Sequence, residues 1–159
     1  MELNELAGDL KISRQTLSNY LTYLEKSFLI RKLYNFAKSR RKVERKLKKY
    51  YPATVSVDLL FKDDDVHRSK VFECLIVNQV KAEFFWRDPY KNEVDIVLGD
   101  KEPMPIEIKY GKIETRGLLA FMKKFNAQKG LIISRDKEQT HRSGEKTISV
   151  LPAYIFLLK

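Results

Sequence analysis

Asp95, Glu107 and Lys109 are the residues of this chain whose types and spacing could do chemistry. Asp95 lies in Glu93-Val94-Asp95-Ile96-Val97-Leu98, and the other two lie in Pro105-Ile106-Glu107-Ile108-Lys109-Tyr110. Each stretch alternates apolar and polar residues, which predicts two strands with unlike faces. Val94, Ile96 and Leu98 are expected to share one face of the first, and Glu93 and Asp95 the other. In the second, Ile106 and Ile108 oppose Glu107 and Lys109. The intervening Gly99-Asp100-Lys101-Glu102-Pro103 suits a hairpin connection. Antiparallel pairing would bring both carboxylates and the lysine together. Magnesium takes oxygen ligands and commonly uses one or two carboxylates with water and phosphate. Asp95 and Glu107 fit as such ligands for Mg²⁺ or Mn²⁺, with the carbonyl of Ile108 as a further oxygen. Lys109 could steady an attacking water or a phosphate charge. The bland alternative is an inert ion pair of Lys109 with Asp95 or Glu107 on a partly exposed sheet face.

The elements that must position this group follow from periodicity. Residues 69–83 read as a helix with a wide apolar face of Val71, Phe72, Leu75, Ile76 and Val80. Glu73 is the exception on it. A carboxylate in such a helix costs free energy unless it is paired, or else it lies on an exposed stripe with Lys70. A strand is expected at 84–87, a helix at 115–126, a doubly buried strand at 130–134, a polar loop at 135–146 and a strand at 147–151. Pro152 breaks that strand before a final apolar segment. Asp63-Asp64-Asp65 reads as a helix cap or solvated turn rather than a metal site.

The first third has a different character. Leu3, Leu6, Ala7 and Leu10 share helical spacing. A second helix starts near Ser13, a good N-cap, and carries Leu17, Tyr20, Leu21, Leu24 and Phe28. The short link Lys11-Ile12 makes these a helix-turn-helix, whose second helix would offer Arg14, Gln15, Thr16, Ser18 and Asn19 to a groove. Strands at 28–36 and 50–57 then flank a basic run that includes Arg40, Arg41, Lys42, Arg45 and Lys46. The pair reads either as a wing along a nucleic-acid backbone or as strands joined by a solvated loop.

Several phrases together carry a resemblance. Asp95, eleven intervening residues, then Glu107-Ile108-Lys109 is similar to the motif of the PD-(D/E)xK nuclease-like fold. Phe85-Trp86-Arg87 and Pro105-Ile106-Glu107-Ile108-Lys109-Tyr110-Gly111 widen the match. With the helix-turn-helix phrase around Ser13–Glu25, the chain resembles the C-terminal region of archaeal and bacterial AAA-type ATPases. That resemblance implies an α/β (α+β) fold: a winged helix-turn-helix over residues 1–57, then a mixed-sheet αβββαβ nuclease-like domain over residues 58–159. It implies Glu73, Asp95, Glu107 and Lys109 as the catalytic set, double-stranded DNA as a partner, and an ATPase module upstream in the same polypeptide. Nuclease-like domains of this group need not be active, so a non-catalytic DNA-binding, regulatory or oligomerisation module stands as the alternative.

Composition sets the outer bounds. A chain of 159 residues with 43% apolar content can build a core as one domain or two small ones. The lone Cys74 excludes an internal disulfide and a cysteine-based zinc cluster, and suits a reducing cytoplasm. No apolar run reaches membrane-spanning length, and no phosphate-cradling loop of the Gly-x-x-x-x-Gly-Lys-Ser/Thr type occurs, so no ATP site is expected. The net charge of +10 is uneven: residues 1–50 carry +8 and the remainder +2. That excess points the first third toward a polyanion.

Overall fold

The computed structural model describes residues 3–45, 47–55, 64–99 and 101–158. Helices α1 (Leu3–Asp9) and α2 (Arg14–Lys26) come first. The Ser13 hydroxyl caps α2 by accepting the Thr16 N–H at 3.0 Å. Of the apolar stripe expected on α2, only Leu17 is buried; Tyr20, Leu24 and Phe28 are exposed. Strand β1 (Ile30–Asn35) leads into α3 (Arg40–Arg45) and β2 (Lys48–Pro52). The basic stretch expected as a charged loop is therefore helical in large part. Arginine and lysine are good helix formers, and Val43 gives α3 an apolar anchor, being buried. Residues 56–63, where the second wing strand was expected to end and the domain boundary to fall, lie outside the described residues.

Helix α4 (Asp65–Gln79) begins at an Asp64 cap, whose carboxylate accepts the His67 N–H at 2.8 Å. The capping reading of this acidic run holds for Asp64. There follow β3 (Phe84–Arg87), β4 (Glu93–Leu98), β5 (Met104–Lys109), α5 (Arg116–Phe125) and β6 (Lys129–Ser134). The polar stretch expected as a loop contains β7 (Gln139–Ser143), paired antiparallel with β8 (Lys146–Pro152) across a turn at Gly144. As the outermost strand, β7 needs no apolar alternation, so the hydrophobic pattern did not reveal it. Pro152 then starts α6 (Ala153–Leu157).

Among the described residues, all eight strands form one mixed sheet in the order β2-β1-β3-β4-β5-β6-β8-β7. β4 runs antiparallel to both β3 and β5; β5, β6 and β8 are parallel. The crossover from β5 to β6 carries α5, as parallel pairing demands. The N-terminal strands are not a detached pair: β1 lies parallel to β3, with Tyr34 opposite Phe84. One side of the sheet is covered by α4, whose Ile76 and Val77 pack with Leu33, Phe85, Ile96, Ile106 and Ile133. The other is covered by α5, whose Phe121 packs with Trp86, Val94 and Val97, and whose Leu118 and Met122 pack with Ile132 and Val150.

Helix α5 sits hard against the strand that carries Asp95. A Cβ added at Gly117 would lie 2.0 Å from the carbonyl oxygen of Glu93. That obstacle is backbone and cannot swing aside. Gly117→Ala is therefore expected to cost about 1–3 kcal/mol of stability through overpacking, read from the midpoint of a urea titration. An unchanged midpoint would mean that the helix is not seated this closely.

Candidate functional site

The strict alternation expected of β4 fails at the residue that matters most. Trp86 pairs with Val94 and Phe84 with Val97, so one residue of β3, Phe85, faces two of β4, Asp95 and Ile96. A β-bulge of this kind bends the strand and re-aims a side chain. Its effect on packing is visible: Val94 and Val97 both join the cluster under α5, whereas Ile96 joins the one under α4. Val94 and Ile96 thus do not share a face. The extra residue allows Asp95 to turn toward the α4 side along with Ile96.

Asp95 also reaches across to β5. The paired residues of β4 and β5 run from Leu98–Met104 to Ile96–Ile106. Beyond them the Ile108 N–H donates to Asp95 Oδ2 at 2.8 Å, in place of a β4 carbonyl. The sequence-predicted carboxylate is thereby fixed beside the Glu107-Ile108-Lys109 segment. Asp95 and Glu107 are both buried, at 8% exposure each. Lys109 Nζ lies 2.7 Å from Glu107 Oε1. Glu107 Oε2 is buried and has no hydrogen-bond partner among the described residues.

Glu73 belongs to the same neighbourhood, not to an exposed stripe with Lys70. Its Oε1 accepts the Tyr51 hydroxyl at 2.6 Å and lies 3.5 Å from Lys49 Nζ. The Lys49 ammonium also contacts Glu93 Oε1 and stands 3.7 Å from Asp95 Oδ1. Glu93 is in turn 3.6 Å from Arg87 Nε. Lys49, Tyr51 and Glu93 are the members sequence reasoning missed. Glu93 shares a strand with Asp95 and was legible as its neighbour. Lys49 and Tyr51 come from β2, and no local spacing ties them to β4.

Burial dominates the electrostatics. It is the largest influence raising Asp95 above the ordinary carboxylate range; the Glu73 charge adds to it, and Lys49, the Ile108 N–H and Lys109 oppose it. Burial likewise raises Glu107, reinforced by the charge of Asp95 and opposed by Lys109 and Lys49. The two carboxylates therefore feel each other, and each costs free energy in its charged form. For Lys49 burial pulls downward, but Tyr51, Asp95, Glu73 and Glu93 together hold it well above the usual lysine value. Among the described residues no three His, Cys, Asp or Glu side chains are grouped closely enough to hold a metal by themselves.

The residues expected to meet nucleic acid fall on two separate elements. Arg14, Gln15, Ser18 and Asn19 are exposed on α2, and Thr16 is half-buried, its hydroxyl 2.8 Å from that of Ser13. Gln15 donates to Asn19 at 3.1 Å. Arg41 and Lys42 are exposed on α3, which Arg40 and Arg45 begin and end; Lys46 lies outside the described residues. No helix among the described residues is long and apolar enough to cross a membrane.

Comparison with known proteins places these residues within two family models. Residues 1–57 match a domain of unknown function, DUF8612. Residues 69–156, more than half of the chain and all four of Glu73, Asp95, Glu107 and Lys109, match a second, and the chain belongs to this family, the domain of unknown function DUF4143. The chain is also similar to an uncharacterized protein of Methanocaldococcus jannaschii, 29% identical over 141 residues. That alignment covers 80% of this chain and 30% of the relative. The chain thus spans about a third of the relative's length or less. No solved structure matches the chain.

Proposed function

We propose that this chain is the C-terminal DNA-binding and nuclease-like portion of an AAA-type ATPase, with a divalent-ion site at Asp95 and Glu107. The observation that carries the reading is the junction of β4 and β5. A bulge and the Ile108 N–H hold Asp95 against the Glu107-Ile108-Lys109 segment, where a buried carboxylate oxygen has no partner among the described residues. An unpartnered buried oxygen is costly, and a hard cation would satisfy it. The donor set of two carboxylates and the Ile108 carbonyl suits Mg²⁺ or Mn²⁺. When bound, such an ion would supply positive charge and a more acidic water. The chain's own residues supply the rest. Asp95 is oriented by a backbone hydrogen bond, and Lys109, tethered to Glu107, would meet the charge of a phosphate. Glu73 borders the site through Lys49.

Two further features agree with this reading. The strand order β3-β4-β5-β6, with α4 before it and α5 inside the β5–β6 crossover, is an αβββαβ arrangement. The +8 charge of residues 1–50 includes exposed cations on α2 and α3. The ATPase module, duplex DNA as partner and a cytoplasmic setting belong to the same proposal.

Calorimetric titration with Mn²⁺, paired with cleavage of duplex DNA, tests it. Asp95→Asn should weaken Mn²⁺ binding at least tenfold. Asp95→Asn and Lys109→Ala should each abolish cleavage while leaving DNA affinity nearly unchanged. Absence of Mn²⁺ uptake at millimolar concentration would reject the ion site. In that event the second reading, a non-catalytic DNA-binding or oligomerisation module, is the one favoured, and the Lys49 ammonium seated among the carboxylates supports it.

A further inference from the structure

Helix α2 ends in a way that presents apolar side chains to solvent. The Leu29 N–H donates to the Leu24 carbonyl at 2.9 Å, and the Phe28 N–H to the Glu25 carbonyl at 3.0 Å. This closure needs a left-handed residue just past the helix, and glycine is the usual one because it has no Cβ. Phe28 takes that place, at φ 59°. The other non-glycine residues of positive φ among the described residues are three lysines and an asparagine. A bulky aromatic in this conformation is strained. Packing within the chain does not offset the strain, since Phe28 is 85% exposed. Tyr20, Tyr23 and Leu24 share one face of α2 by their i, i+3, i+4 spacing, and the closure brings Leu29 beside the last turn. These four are 53%, 63%, 38% and 56% exposed. With Phe28 they form one apolar face of five residues.

We propose that this face is a self-association surface, on which a second copy of the chain pairs about a two-fold axis. Area supports the pairing. At roughly 200 Å² for each side chain when fully exposed, the five present about 600 Å². That is the upper limit of what a monomer leaves open. Two copies would bury about 1,200 Å², the lower bound of a specific interface. Chemistry selects the occupant. A two-fold interface requires a patch that complements itself. None of the five side chains is charged, so a copy meets the same face without burying an unpaired charge. Arg14, Gln15, Ser18 and Asn19 lie on the other flank of α2 and stay uncovered. The +8 charge of residues 1–50 opposes the pairing, because the excess cations of two copies repel. Salt screens that repulsion. Pairing should therefore tighten as salt rises, whereas binding to DNA weakens. Neither the ion site nor DNA cleavage enters into it.

Sedimentation equilibrium of the full chain without DNA, over a range of concentrations and at two salt concentrations, measures the pairing. The native chain should show a monomer–dimer equilibrium with a Kd in the micromolar range. That Kd should be at least about threefold tighter at about 0.5 M salt than at about 0.1 M. Phe28→Gly should weaken pairing at least tenfold. Glycine suits the left-handed position, so in dilute solution this variant should melt no lower than the native monomer. Tyr23→Ser, on the helix face itself, should weaken pairing as well. A native chain that stays monomeric at every concentration would overturn the proposal and leave the face to a different protein. Pairing undiminished in both variants would overturn it by placing the contact elsewhere. A dimer that loosens as salt rises would also overturn it, being held by charge and not by this face.

Discussion

Replacing Arg40, Arg41, Arg45 and Lys46 together by glutamate is expected to weaken binding to duplex DNA by at least about 100-fold. The cause is concentration of charge: residues 1–50 hold 13 Lys and Arg against 5 Asp and Glu. Arg40, Arg41, Lys42 and Arg45 lie in α3. Each phosphate neutralised by the protein releases condensed counterions, so affinity falls with salt. Contact with about four to six phosphates gives a log–log salt slope near −4 to −5 for the native chain. Fluorescence anisotropy with a labelled duplex at several salt concentrations measures both quantities. The variant should lose affinity alike for unrelated sequences, since phosphate contacts carry no base information. Undiminished affinity in the variant would place the DNA-binding surface elsewhere.

The second large effect is a dependence of folding on pH that runs opposite to the common case. Burial pushes Glu107 up to about 8 from an ordinary 4.5. The folded chain therefore holds a proton there that the unfolded chain has lost. Its stability is fully present below about pH 4.5 and declines as pH rises toward about 8. Asp95, raised for the same first reason, acts in the same direction. Lys49 and Lys109 do not counter this, because both are raised from 10.5 and stay charged across the interval. Lys109 beside Glu107 limits the effect, and burial exceeds it. Between pH 5.5 and 8.5 the native chain should lose on the order of 2 kcal/mol. Glu107→Gln should flatten that profile and be the more stable protein at pH 8.5. Guanidinium titrations at both values give the answer, and a native chain more stable at pH 8.5 would contradict the environment described for Glu107.

Much of this site was readable from the residues alone, and the part that was not shares one cause. Asp95, Glu107 and Lys109 stand in two short strands joined by a turn, so spacing along the chain translates directly into distance. Glu73 stood out because an acid in a largely apolar helix must face something polar. The bulge at Asp95 and Ile96 left no mark, since it depends on how β3 pairs with β4 rather than on the residues of β4. Lys49 reads in sequence as one more cation in a basic run. Only the folding of β2 onto the sheet through β1 turns it inward, away from solvent. The helicity of α3 was masked by the same charges that suggested a loop. Strand β7 lacked the alternation that an inner strand would need.

The union of β1 with β3 changes what the two family matches mean physically. One match ends at residue 57 and the other begins at residue 69, yet residues on both sides belong to one sheet. The backbone N–H groups of Tyr34 and Phe36 donate to the carbonyls of Glu83 and Phe85 at 2.9 and 2.7 Å. The Asn35 amide donates to the carbonyl of Arg87 at 2.9 Å and its oxygen accepts the Arg87 N–H at 3.2 Å. Arg31 donates to Asn78 of α4 at 3.1 Å. The join is a seam, not a hinge. Cutting the chain there would strip β3 of its neighbour and leave an apolar strand with a raw edge, a template for pairing with other chains. A load applied to the first third would pass into the central sheet as shear along β1 and β3, with β4 and its bulge the next strand in line.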